Sequence, residues 1–295
     1  MTNNRLRLFA SLFLFTLLVS AQYAGPTAKA DHAPEVVTSR ESCASTLSPF
    51  ITWFPEEVTC PICQTKQIFM VPGSWGSYIY QFPSKYQLIY WPHTDSPSWH
   101  SCKKCRYTAF MGDFKEIPKD KISAVSEMLK TVSLPEQKEV PAKEREWNQP
   151  YMTIPSSDRL LVAEKVYRTL GRPDAFWAHF YRVLGYHMQA DKKPTEAAEA
   201  RRKALAILEG WLSKPENAGT RKELLYVCGA MHHFLKEDVE AMKLFTEATT
   251  LTYKDPGIKA EDNEGYNGYL SNLIKEYIEM LKKGEGPRDK KDGDH

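Results

Sequence analysis

Two short cysteine pairs carry the most specific chemistry in the chain, Cys60-Pro61-Ile62-Cys63 and Cys102-Lys103-Lys104-Cys105. A C-x-x-C turn brings two thiolates to one side of a tight loop, and two such turns supply the four soft ligands of a tetrahedral zinc site. The interval between the pairs is longer than is usual for this pattern. A β insertion of that length is still affordable, because the cost of closing a loop rises only logarithmically with its size. Three chemistries follow from these residues. The first is a structural zinc held by Cys60, Cys63, Cys102 and Cys105. The second is a disulfide framework drawn from the six cysteines, and the third is a thiol oxidoreductase using Cys60 and Cys63. No βαβ pattern surrounds the first pair and no Trp directly precedes Cys60, which weighs against the third. His93 and His100 lie near the second pair and read as ordinary loop histidines. Cys228, just before Gly229, falls on the core stripe of a helix, where a small thiol packs well. Cys43 stands apart.

The pairs must be positioned by the segment 51–114, which reads as a β-rich module. It holds Trp53, Trp75, Trp91 and Trp99, several Pro and Gly, and β-prone runs at Gln67 to Val71, Ser77 to Phe82 and Tyr86 to Trp91. Trp75, Trp91 and Trp99 offer either a stacking platform for a sugar or core packing. Residues 115–155 carry one amphipathic helix, with Ile122, Val125, Met128 and Leu129 on one side, and then a Lys/Glu/Pro-rich linker.

From Ser156 to Lys283 helical periodicity dominates. Ser156, Ser157 and Asp158 are candidate caps, Gly171 a stop and Pro173 a restart. A repeat of tetratricopeptide type is visible: Tyr181-Arg-Val-Leu184-Gly185 is followed by Ala197 and Ala204, and Leu225-Tyr-Val-Cys228-Gly229 by Ala241 and Ala248 at the same offsets. The glycines stand farther apart than the roughly 34 residues of a standard unit, because the helix containing KALAILEGWL is prolonged and a loop follows at Pro215 to Gly219. In such arrays one stripe of each first helix faces a concave groove. His179, Arg182, Tyr186 and Gln189 form that stripe in one repeat, and Glu223, Tyr226, Ala230 and His233 in the next, so they are the candidate contacts for a protein or peptide. The fold class is α+β: a small zinc-ribbon-like β module followed by an all-α tetratricopeptide-like array. Residues 284–295 read as a frayed tail.

At the amino terminus, Arg5 and Arg7 precede an apolar run from Leu8 to Val19. This is the pattern of a secretory signal, too short for an ordinary span, with cleavage expected after Ala21 or Ala30. Residues 1–30 are therefore assigned to a signal peptide and 31–50 to an extended lead-in, which places the protein in the periplasm or outside the cell. The chain has 39 Lys plus Arg against 37 Asp plus Glu, a formal charge of +2. Losing Arg5, Arg7 and Lys29 with the signal leaves it close to neutral, without a global drive toward nucleic acid, and no stable membrane span is expected after cleavage. No phosphate-binding loop, zinc-protease helix or serine nucleophile elbow occurs, so an enzyme is not indicated.

The segments TCPICQTK and CKKCRYTAF, followed by FYRVLGYHM and KALAILEGWL in divergent repeat helices, resemble the bacterial family catalogued as domain of unknown function 2225 across about residues 57 to 283. The resemblance implies that Cys60, Cys63, Cys102 and Cys105 match the four family cysteines, and it brings no known activity. Gln64 and Arg106 depart from it, standing where knuckles of this kind usually have Gly, which readily takes the positive φ of the turn. Together these readings lead to an exported scaffold for protein interaction, with a thiol or disulfide enzyme as the rival. Replacing Cys60 or Cys102 is expected to unfold the β module and leave much of the helical signal.

Overall fold

The computed structural model describes residues 51–75, 84–133 and 154–287. The signal, the lead-in, Cys43, the run Ser77 to Phe82, most of the linker and the end of the tail lie outside the described residues, as does the side chain of Trp75.

Two antiparallel hairpins form the β module. Strands β1 (Ile51–Thr59) and β2 (Lys66–Trp75) pair from Ile51 opposite Trp75 down to Thr59 opposite Lys66, with a bulge between Thr52 and Trp53. The much shorter β3 (Trp99–Ser101) and β4 (Thr108–Phe110) pair from Trp99 opposite Phe110 to Ser101 opposite Thr108. Each hairpin therefore ends in one cysteine turn. Between β2 and β3 the insert, residues 84–98, is not the strand expected from Tyr86 to Trp91. It is built from single turns of 3-10 helix at Lys85–Gln87 and Ser96–Ser98 and one isolated bridge from Ser84 to Ile89. Leu88 takes a positive φ of 48° there, a conformation that stops a strand.

Seven helices follow among the described residues: α1 (Ile122–Leu129), α2 (Ser156–Leu170), α3 (Asp174–Ala190), α4 (Pro194–Leu212), α5 (Arg221–Phe234), α6 (Asp238–Thr249) and α7 (Ala260–Lys282). Gly171 closes α2 at a φ of 70°, as its place after the periodic run predicts. The expected caps act differently, because Ser156 to Asp158 are already helical. The free backbone N–H of Ser157 is taken instead by the carboxylate of Asp191, 2.8 Å away at the end of α3.

The repeat glycines sit at the helix crossings. A Cβ on Gly185 would lie 3.2 Å from the Ala197 carbonyl, and one on Gly229 would lie 2.9 Å from the ring of Phe245. Close approach within each pair, α3 with α4 and α5 with α6, thus depends on the missing side chain. One hydrophobic core runs without interruption from Val58, Phe69, Tyr86, Ile89, Trp99 and Tyr107 in the module to Tyr167, Phe180, Tyr226, Phe245 and Tyr277 in the array. The module and the array are therefore not two bodies touching at a polar seam. No helix among the described residues is long and apolar enough to cross a membrane.

Candidate metal centre

The two cysteine turns are built alike. In the first, the N–H of Gln64 donates to the Cys60 carbonyl at 2.9 Å and the N–H of Cys60 to the Thr65 carbonyl at 3.0 Å. In the second, Arg106 donates to Cys102 at 2.9 Å and Cys102 to Tyr107 at 2.8 Å. This pairing drives the residue after each second cysteine into the left-handed region, at φ 57° for Gln64 and 69° for Arg106. The conformation that glycine would supply is kept although the glycines are absent. Arg106 also donates through its guanidinium to the Lys103 carbonyl.

The four Sγ atoms converge to within 4.8 Å of one another. Cys60 lies 3.6 Å from Cys105 and Cys63 3.5 Å from Cys102. Four thiolates around one zinc at a bond length of about 2.3 Å would be about 3.8 Å apart along each tetrahedral edge, so the sulfurs already stand near ligand spacing. All four are free thiols, Cys60 and Cys102 fully buried and Cys63 and Cys105 partly so.

Backbone donors are aimed at these sulfurs: the N–H of Cys63 at Cys60, those of Cys105 and Lys104 at Cys102, and that of Tyr107 at Cys105. Hydrogen bonds from Cys105 and Cys60 pull Cys102 down to about 2, whereas the bond shared with Cys102 pushes Cys60 up to about 12 and Cys105 upward as well. A divalent ion bound there would draw off the thiol protons. Donor type, number, spacing and orienting amides all fit a metal held by four cysteines.

Neither candidate histidine joins the site. His100 stacks face to face on Phe69 at 4.1 Å, and burial lowers it to about 4. His93 points into the helical array. Trp99 is fully buried, and Trp91 packs against Trp53, so these two indoles serve the core rather than a stacking platform.

The groove residues face inward as their spacing predicts, but the groove is not free. The insert fills it. Arg182, buried in the groove, donates to the carbonyls of Gln87 and Leu88, the latter at 2.9 Å. The hydroxyls of Tyr226 and Tyr277 both reach the Tyr86 carbonyl, at 2.8 and 3.2 Å. His179 Nε2 meets His93 Nδ1 at 2.6 Å. Tyr186 is buried, and Glu223, whose carboxyl is pushed up by burial, faces Tyr266 and Arg182. His233 turns to Asp238 at 2.8 Å, and Gln189 is exposed at the end of α3. Three residues of the stripe expected to receive a partner, His179, Arg182 and Tyr226, are thus engaged by the chain's own insert.

Sequence reasoning missed Arg159. It is fully buried on α2 and donates to the carbonyls of Trp99 and Ser96 at 2.7 and 3.0 Å and to Ser96 Oγ at 2.6 Å. Burial lowers its guanidinium to about 10, which leaves it charged at neutral pH. An arginine in the first turn of a helix reads as a solvated residue, so nothing in the periodicity distinguished it.

Comparison with protein-family models, curated proteins and solved structures returns no match. The site is therefore read from its own geometry.

Proposed function

We propose that this chain is a non-catalytic, zinc-stabilised scaffold of the bacterial cell envelope, exported by its signal segment, acting through protein contacts and belonging to the family of unknown function that it resembles. The observation that carries the reading is the convergence of Cys60, Cys63, Cys102 and Cys105 within 4.8 Å. Zinc is the ion favoured by four thiolates in a closed tetrahedral set. Its binding energy is spent on folding, because the site ties together two hairpins too small to be stable alone. The ends of the insert are fixed by that tie, and the insert is then held in the groove by donors aimed at its main chain. Guanidinium and phenol groups directed at carbonyls are the chemistry of an array that receives extended peptide, with the insert as its resident occupant.

Native mass spectrometry of the chain recovered from its export compartment tests the reading. One zinc per chain, with thiols that react only after chelation, is the expected result. The rival activity has a separate test. Cys60 is fully buried, so turnover of a dithiol–disulfide exchange substrate is expected to be absent, and catalytic turnover that vanishes in Cys60→Ser would replace the scaffold by an oxidoreductase.

A further inference from the structure

Two sulfur contacts, Cys60 with Cys105 at 3.6 Å and Cys63 with Cys102 at 3.5 Å, run between the hairpins and together use all four thiols. Each contact joins a fully buried cysteine to a half-buried one: Cys102 is buried and Cys63 half-buried, Cys60 is buried and Cys105 half-buried. That is the arrangement of an attacked thiol and a resolving thiol. We propose that the cluster is an oxidative modification site with a defined pairing, in which metal loss and oxidation give the disulfides Cys60–Cys105 and Cys63–Cys102.

The oxidant is a low-molecular-weight disulfide of the kind present in an oxidising compartment. The Cys63 thiolate attacks it, forming a mixed disulfide and releasing one thiol. The Cys102 sulfur then attacks the Cys63 sulfur and displaces the second thiol. Cys105 and Cys60 repeat the sequence. In total four cysteine sulfurs lose four electrons to two oxidant molecules, four small thiols form, and the divalent ion leaves. From the metal-bound state the four thiols take their protons from solvent.

The pairing has a structural consequence. Bonds within each C-x-x-C would leave the hairpins unconnected once the metal is gone. Bonds between them retain the tie, with Cys63 and Cys102 still closing the chain on either side of the insert. Arg159, Arg182 and Tyr226 would then keep their carbonyl partners. The metal centre and the disulfide pair are alternative staples for one fold.

The proposal takes its starting state from the metal reading, and the test separates the two. Metal content of the purified full-length mature chain is measured first. The native protein is then treated with oxidised glutathione and a chelator, blocked with N-ethylmaleimide and digested with trypsin. Lys103 and Lys104 let trypsin part Cys102 from Cys105, while Cys60 and Cys63 stay on one peptide.

The expected product has lost the mass of four hydrogens from its free thiols and joins all three peptides, with fragmentation assigning Cys60–Cys105 and Cys63–Cys102. In Cys63→Ser, Cys60–Cys105 forms and Cys102 stays free. Should that variant fail to fold, the wild-type map decides alone. Loops closed within each pair, the reverse cross-pairing, stable glutathione adducts or four unreacted thiols would each overturn the proposal. Zinc present with any of those maps leaves the metal reading standing, whereas the expected map from a chain purified without metal removes zinc and retains the pairing.

Discussion

Gln64 and Arg106 show how little identity a knuckle needs when its hydrogen bonds dictate the backbone. Both hold the left-handed conformation that glycine adopts without cost, and an L-residue there carries about 1 kcal/mol of strain. Gln64→Gly should therefore unfold at the same or a slightly higher temperature, its relief offset by the greater freedom of glycine in the unfolded chain. Gln64→Val should lose about 1–2 kcal/mol, since branching at Cβ makes the conformation worse. Thermal melts of the two variants check this, and a valine variant as stable as wild type would show that the turn is not under strain. At this scale the sequence was highly legible at the cysteines, whose spacing alone named the four that meet. It was silent about Arg159, because nothing local marks a charged side chain that is to be buried by contacts distant in the chain.

Elements decide what the insert does. Arg182 on α3 is a charged donor to both the Gln87 and the Leu88 carbonyls. Its replacement by Met leaves those buried acceptors without their guanidinium, and a loss of about 3 kcal/mol in unfolding free energy is expected from denaturant titration. Tyr226→Phe should cost only about 1 kcal/mol, because Tyr277 also bonds the Tyr86 carbonyl. Equal effects would mean that the insert is held by apolar packing alone.

The same interface carries a pH dependence. His93 is lowered to about 3 and His187 to about 4, both first by burial, and His179 is lowered as well. Arg159 and Arg182 add repulsion at His187 and His179, Asp191 opposes it at His187, and the histidines repel one another. The folded state then binds fewer protons than the unfolded chain below about pH 6.5. Stability is full above that value and falls on acidification by about 1.4 kcal/mol per pH unit for each histidine kept neutral, until the folded values are reached. Unfolding titrations between pH 7 and 4 should show this slope, reduced by about one proton in His93→Gln. An unchanged slope in that variant would place the acid sensitivity elsewhere.

The helix stop at Gly171 and the restart at Pro173 were readable because punctuation and period agree there. The insert was not: β-prone residues from Tyr86 to Trp91 are coiled by contacts to a groove far along the chain, and no local pattern encodes that. Of the stripe read from helical spacing, His179, Arg182 and Tyr226 meet the insert, whereas Gln189 is exposed; a concave surface looks the same in sequence whether a partner or the chain itself lies against it.

Over the whole molecule the continuous core sets the behaviour. Tyr86, Ile89 and Trp99 are buried in a core continuous with the helices, so unfolding of the module is expected to carry the array with it, in place of the separate unfolding expected from composition and spacing. Loss of the tie should expose Arg159 and Arg182 together with the aromatic residues around them, and aromatic and helical signals should fall in one transition. A single domain of continuous core behaves in this two-state way. The α+β class and the order of module and array were legible from the sequence, because Trp, Pro and Gly cluster in one part and helical period governs the other. Their fusion was not, since it depends on where the insert goes.

The most direct measurement is thermal unfolding of the reduced chain, followed by near- and far-ultraviolet circular dichroism, with its metal content known and with or without chelator. One zinc per chain, one coincident transition, and a large drop in its midpoint for both signals when the metal is removed are the expected results. A metal-free chain that melts at the same temperature, or a chelated chain whose helices persist after the aromatic signal is gone, would contradict them.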